Sequence, residues 1–177
     1  APDLVEDLLL LGALDDKVVI GSMNRGGLPG AVFEADDRFT AYDADGIERF
    51  GLDGGKMLVR IDPEDPASVA TLESCASAIT ALAKNGLTAL VEPFMAKRSG
   101  GRLGNELTTD AVVRSATIAA GLGATSAYTW LKLPVVERMD QVAAATSLPV
   151  VLLGGDSSDD PEATYAAWQD ALALPTV

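Results

Sequence analysis

Charged residues recur near the ends of apolar runs: Lys56, Arg60 and Asp62 in "KMLVRID", Glu92 in "LTALVEPF" and Lys132 in "AYTWLKLP". A lysine that has lost its proton is a nucleophile for carbonyl carbon. The Schiff base it forms acts, as an iminium, as an electron sink when a C–C bond breaks. An ammonium gives up its proton more readily in apolar surroundings and beside other cations, because desolvation and like charge both disfavour the charged form. A carboxylate such as Glu92 would carry protons during carbinolamine formation and dehydration. A second cation such as Lys56 would favour the neutral nucleophile or bind an anionic substrate. The plainer reading is that Lys132 snorkels to the strand end or pairs with Glu92 as an internal ion pair.

The 177 residues include no histidine, which excludes Ser-His-Asp and Cys-His mechanisms and a zinc enzyme built on imidazole ligands. Acid–base chemistry falls to carboxylates, lysine and tyrosine. A magnesium-dependent lyase using Asp62 and Glu92 is disfavoured by the lysines alongside them, so neither a metal nor a cofactor is implied. The formal net charge of −13 argues against nucleic acid or an anionic membrane as partner. The single cysteine, Cys75, falls among Leu72, Ala76 and Ile79 in a helical pattern, as a buried structural thiol would, and fits a reducing compartment. No stretch resembles a signal peptide or a membrane span: "LVEDLLLLGAL" is too short and contains charge. A cytoplasmic location is expected.

The elements that must position these groups alternate. Strands are expected in "KVVIGSM", "KMLVRID", "LTALVEPF", "AYTWLKLP" and "LPVVLLGGD", separated by helical patterns whose joins carry Gly, Pro, Asp or Asn. Such alternation implies parallel strands with helical crossovers, as in an open doubly wound sheet or a (β/α)8 barrel. Two strands alternate sharply. Lys56, Leu58, Arg60 and Asp62 oppose Met57, Val59 and Ile61, while Tyr128, Trp130 and Lys132 oppose Thr129, Leu131 and Leu133.

A barrel accounts for this pattern, its apolar face meeting the helices and its inner face carrying polar groups near the strand C-terminal ends. Neighbouring strands lie about 4.8 Å apart, so Lys56, Arg60, Asp62, Glu92 and Lys132 are expected to converge. The fold class expected is therefore an α/β parallel (β/α)8 TIM barrel forming a single domain over residues 1–177. Five strands against the barrel's eight suggest an incomplete segment, about strands 3 to 7, truncated at both ends. Its open edges leave a homo-oligomer as an open expectation.

Gly154 and Gly155 follow the last strand, where backbone amides of a barrel commonly meet phosphate; Asp156 reads as a helix cap. "GSMNRGGLPG" lacks the Lys-Ser/Thr ending of a nucleotide loop, but Arg25 within it is a candidate for the mouth of the site. "AKRSGGR", with Lys97, Arg98 and Arg102, reads as a solvated loop or a lid, and Gly54-Gly55 as a tight lead into the second strand.

Together "LKLP", "LVEPF", "GGKMLVRID" and "VVLLGGD" resemble the class I aldolases of the deoxyribose-phosphate, fructose-bisphosphate and tagatose-bisphosphate aldolase superfamily. The string "VVIGSMNRGGLPGAVFEADDRFTAYDADGI" resembles a branch of uncharacterised (β/α)8 proteins associated with inositol catabolism. The resemblance implies a Schiff-base-forming lyase acting on a small phosphorylated sugar or sugar-acid. Lys132 would be the nucleophile, Glu92 the proton carrier, Lys56 the second lysine, and Gly154 and Gly155 the phosphate loop. Arg60, Asp62 and Arg25 are candidates for substrate contact. The aspartate and second phosphate loop that the superfamily places on strands 1 and 8 have no counterpart within the segment, which leaves its activity alone open. The fructose-bisphosphate group's strand-5 tyrosine has none either. A non-catalytic sugar-phosphate-binding barrel with a structural Lys132–Glu92 pair is the alternative.

Overall fold

The structure, a computed structural model, describes residues 2–25, 36–154 and 161–177. Helix α1 (Pro2–Leu10) leads to strand β1 (Ile20–Ser22), followed by α2 (Ala44–Arg49), β2 (Gly54–Ile61), α3 (Ala67–Lys84) and β3 (Thr88–Ser99). The remaining elements are β4 (Arg102–Asn105), α4 (Thr109–Ala120), β5 (Thr129–Leu133), α5 (Met139–Ala144), β6 (Val150–Leu152) and α6 (Pro161–Leu172).

β1, β2, β3, β5 and β6 lie side by side in that order, all parallel, in a sheet curled as half a barrel. Each of the five expected strands is present, and the helical crossovers between them are what parallel pairing requires. The outer face of the sheet makes the core. Met57, Val59, Ile61, Val91, Leu131 and Leu133 are buried together with Cys75, Ile79 and Leu82 of α3 and Val112, Ala116 and Ala119 of α4. The opposite face is open, with Trp130 43% exposed and Val151 38%. The period-2 pattern thus reports a sheet covered on one side.

Two elements depart from the sequence reading. The stretch "AKRSGGR" is ordered β-hairpin, not loop: β3 continues to Ser99 and β4 returns antiparallel, pairing Ala96 with Asn105 and Ser99 with Arg102. Gly100 and Gly101 have φ of 57° and 81°, the left-handed pair that a two-residue hairpin turn demands and glycine supplies without strain. The short α2 is the other. Asp43 caps it, its carboxylate accepting the Gly46 N–H at 2.7 Å.

The glycine pair before Lys56 has a packing reason. A Cβ on Gly54 would collide with the Thr88 backbone, and one on Gly55 would meet Met23 and Ile47. Their bareness lets the start of β2 lie against its neighbours.

Candidate functional site

Strand register determines which side chains meet. Ser22, Lys56, Leu90 and Trp130 form one row across β1, β2, β3 and β5, since each is paired with the next. Leu58 pairs with Glu92 in the row above. The β3–β5 pairing ends at Val91 and Leu131, so Glu92 and Lys132 follow as the next residues on the two strands. Pro93, which has no N–H to donate, comes directly after Glu92. Thus Glu92 and Lys132 face each other where the ladder stops and the strands are free to part.

Glu92 is nearly buried, and its two oxygens are divided between two lysines. Oε2 lies 2.5 Å from Lys56 Nζ and Oε1 lies 2.9 Å from Lys132 Nζ. The side chains of Lys56 and Lys132 are 24% and 30% exposed, so both ammonium groups sit where the open inner face meets solvent. Burial by itself would raise the Glu92 carboxyl. The hydrogen bonds and charges of Lys56 and Lys132 outweigh it and hold the group below the ordinary carboxylate value. Leu90 and Trp130 are the apolar residues next along the sheet in the row of Lys56.

The other candidate residues are placed differently. Arg60 shares the inner row, but its Nε and Nη2 donate to the carboxylate of Asp37, which is fully buried. Asp62 belongs to the turn between β2 and α3: its Oδ1 accepts the Glu64 N–H, and its backbone exchanges hydrogen bonds with the Ser68 hydroxyl. Arg60 and Asp62 therefore do not join the Lys56–Glu92–Lys132 cluster. Arg25 is exposed just beyond β1. Gly154 is exposed after β6, with open space where a Cβ would stand. Gly155 and Asp156 lie outside the described residues. Cys75 is buried against Met57, with its thiol pushed up to about 12 by burial.

Asn24 and Asp37 are the polar residues that sequence reasoning missed. Both are buried beside β2, and no motif marks them, because the contacts that make them important reach residues up to 34 positions away. Among the described residues no three His, Cys, Asp or Glu side chains cluster as metal ligands would. Among the same residues no helix is long and apolar enough to cross a membrane.

The fold and site define a parallel α/β half barrel with a Lys–Glu–Lys cluster on its inner face. The chain belongs to the Cgl0159-like family, whose pattern it matches over residues 1–177. The crystal structure of Cgl0159 from Corynebacterium glutamicum (Brevibacterium flavum) is 50% identical with a TM-score of 0.95, over 99% of this chain and 59% of that one. A Schiff base forming fructose-1,6-bisphosphate aldolase is similar at a TM-score of 0.66 and 19% identity, over 88% of this chain and 59% of that one. An archaeal fructose 1,6-bisphosphate aldolase is similar at a TM-score of 0.66 and 17% identity, with the same coverage. The two aldolases share the fold. This chain spans 59% of the length of each of these structures. No functionally curated protein matches it.

Proposed function

We propose that the full protein is a class I aldolase: a (β/α)8 barrel, of which this chain is about strands 3 to 7, that makes or breaks a C–C bond through an iminium on Lys132. The observation that carries this reading is the division of one nearly buried carboxylate, Glu92, between two inner-face lysines. The fold shared with a Schiff base forming aldolase supports it.

Lys132 must lose one proton before it attacks, and Glu92, 2.9 Å away, is the base within reach. The amine lone pair then adds to the substrate carbonyl carbon, giving a carbinolamine. Its hydroxyl takes a proton and leaves as water, forming the iminium. Removal of the proton from the β-hydroxyl releases an aldehyde as the Cα–Cβ pair of electrons moves into the iminium, leaving an enamine. Protonation of the enamine carbon and hydrolysis return Lys132. Lys56, 2.5 Å from Glu92, supplies the second cation of the cluster and favours an anionic substrate.

A phosphorylated sugar or sugar-acid, as in inositol catabolism, is the substrate class proposed, with Gly154 and Gly155 toward its phosphate and Arg25 at the mouth. The protein is proposed to work in the cytoplasm. The test is borohydride reduction of the full-length protein with phosphorylated keto-sugars, followed by peptide mass analysis. A substrate mass retained on Lys132 is expected, and no adduct with any of them would sink the mechanism.

The two ion pairs also suit a barrel that binds sugar phosphates without turnover, Lys132–Glu92 being structural. A Lys132→Met variant that loses binding and stability, in a protein that shows no turnover to begin with, would favour that reading.

A further inference from the structure

On one side β2 is paired with β3 along its whole length, from Gly54 to Ile61. On the other, main-chain pairing with β1 reaches only Ser22 opposite Lys56, extended by the Met23 N–H donating to the Lys56 carbonyl at 2.9 Å. Beyond that point side chains take over. Asn24 Oδ1 accepts the Leu58 N–H at 2.8 Å, and its Nδ2 donates to the Leu58 carbonyl at 2.7 Å. One amide thus satisfies both backbone groups of a strand residue, as a neighbouring strand would. Nδ2 also donates to the Asp37 carbonyl at 3.0 Å. One step further along β2, the Asp37 carboxylate accepts the Arg60 N–H at 3.1 Å and holds the Arg60 guanidinium. Both residues are buried, Asn24 at 1% exposure and Asp37 at 0%.

Leu58, the residue Asn24 grips, lies between Lys56 and Arg60 and opposite Glu92. We infer that Asn24 and Asp37 are positioning residues for the candidate site: by bonding the β2 backbone beyond the last described β1 pair, as a neighbouring strand would, they hold β2 in place and so keep the Lys56 ammonium on Glu92. The catalytic consequence rests on the aldolase reading; the positioning itself does not. Without Asn24 the Leu58 amide and carbonyl would need other partners, and the strand would move to find them. The charged groups on the elements that flank Glu92 are Lys56 and Arg60 from β2 and Lys132 from β5, with Arg60 neutralised by Asp37. Moving Lys56 away removes one of the two cations beside Glu92 and leaves Lys132 as its sole close partner, which changes the protonation of the base that serves Lys132.

The test uses the full-length protein and Asn24→Ala, with two readouts. The first is NMR titration of the Glu92 carboxyl carbon, which needs no activity: the variant is expected to titrate higher than the wild type. The second is steady-state kinetics, where kcat is expected to fall about 10- to 100-fold while KM stays within about twofold, as for a displaced catalytic group. A folded variant with unchanged Glu92 titration and kcat, and only a lower melting temperature, would overturn the inference. A shifted Glu92 in a protein whose wild type forms no adduct and turns nothing over would uphold the positioning and reject the aldolase. If Asn24→Ala does not fold, hydrogen exchange of the Leu58 amide in the wild type decides instead. Protection close to that of the core amides of β3 is expected, and rapid exchange would overturn the inference.

Discussion

The Glu92 carboxylate reaches Lys132 at 2.9 Å through one oxygen while its other oxygen serves Lys56, so a single negative charge answers two positive ones. Replacing Glu92 by Gln keeps the shape and removes that charge. The two ammonium groups would then repel each other, and the base in reach of Lys132 would be gone. Turnover in the full-length protein is expected to drop about 100- to 10,000-fold, the usual range for loss of a general base. Single-turnover kinetics of imine formation would show the defect directly.

The same pair makes stability depend on pH. Because the folded Glu92 carboxyl lies below its unfolded value, its contribution is fully present above the unfolded carboxylate range. It is lost as the pH falls through the lowered folded value. Urea unfolding of wild type and Glu92→Gln between neutral pH and the acid limit should show the wild-type advantage shrinking on acidification. A gap that stays constant across that range would mean Glu92 gains nothing from its lysines.

Asp37→Ala removes the carboxylate that the mostly buried Arg60 guanidinium and the Arg60 N–H both bond. The expected loss is about 3–5 kcal/mol, the usual result of breaking a buried pair by removing one member. A double replacement, Asp37→Leu with Arg60→Met, should recover much of it, because both members of the buried pair are then exchanged for apolar groups together. Chemical denaturation of the three variants checks this.

Gly55→Ala places a methyl group against Met23 and Ile47 and is expected to cost about 1–3 kcal/mol through overpacking. Gly154→Ala points into open space and should leave the melting temperature unchanged. Thermal unfolding of the two side by side separates a packing glycine from a permissive one.

Cys75, buried and with its thiol pushed up to about 12, should resist a thiol reagent in the native protein at pH 8 and react at once in denaturant. Labelling in the native state as fast as in denaturant would contradict its place under the sheet.

Much of this was legible along the chain. The five strands follow from apolar runs bounded by turn residues, and the inner row follows from strict alternation in "KMLVRID", because successive side chains of a strand must point to opposite faces. Convergence of Lys56, Arg60, Asp62, Glu92 and Lys132 was expected from a barrel's inner face and the spacing of neighbouring strands, and three of the five, Lys56, Glu92 and Lys132, do meet. The β4 hairpin was harder to see. "AKRSGGR" is polar and charged on both faces, so its only marker is the glycine pair, which fits a loop equally well. Arg60 and Asp62 share the parity of Lys56, yet one is held by Asp37 and the other turns back onto its own loop. Parity says which way a side chain leaves the strand and nothing about the partner it finds.

The residue types by themselves narrowed the chemistry open within this chain: without histidine, lysine, carboxylates and tyrosine are what remain for acid–base work. They also determined that parallel strands would present those groups on one face. Tertiary structure alone decided that Arg60 would go to Asp37 and Asp62 to its own turn, leaving Glu92 to the two lysines, and that Asn24 would pair with Leu58, 34 residues away, in place of a strand. Such contacts depend on register and on chain segments brought together only when the sheet assembles. Local sequence carries period and propensity, but no distance between residues that meet across the fold.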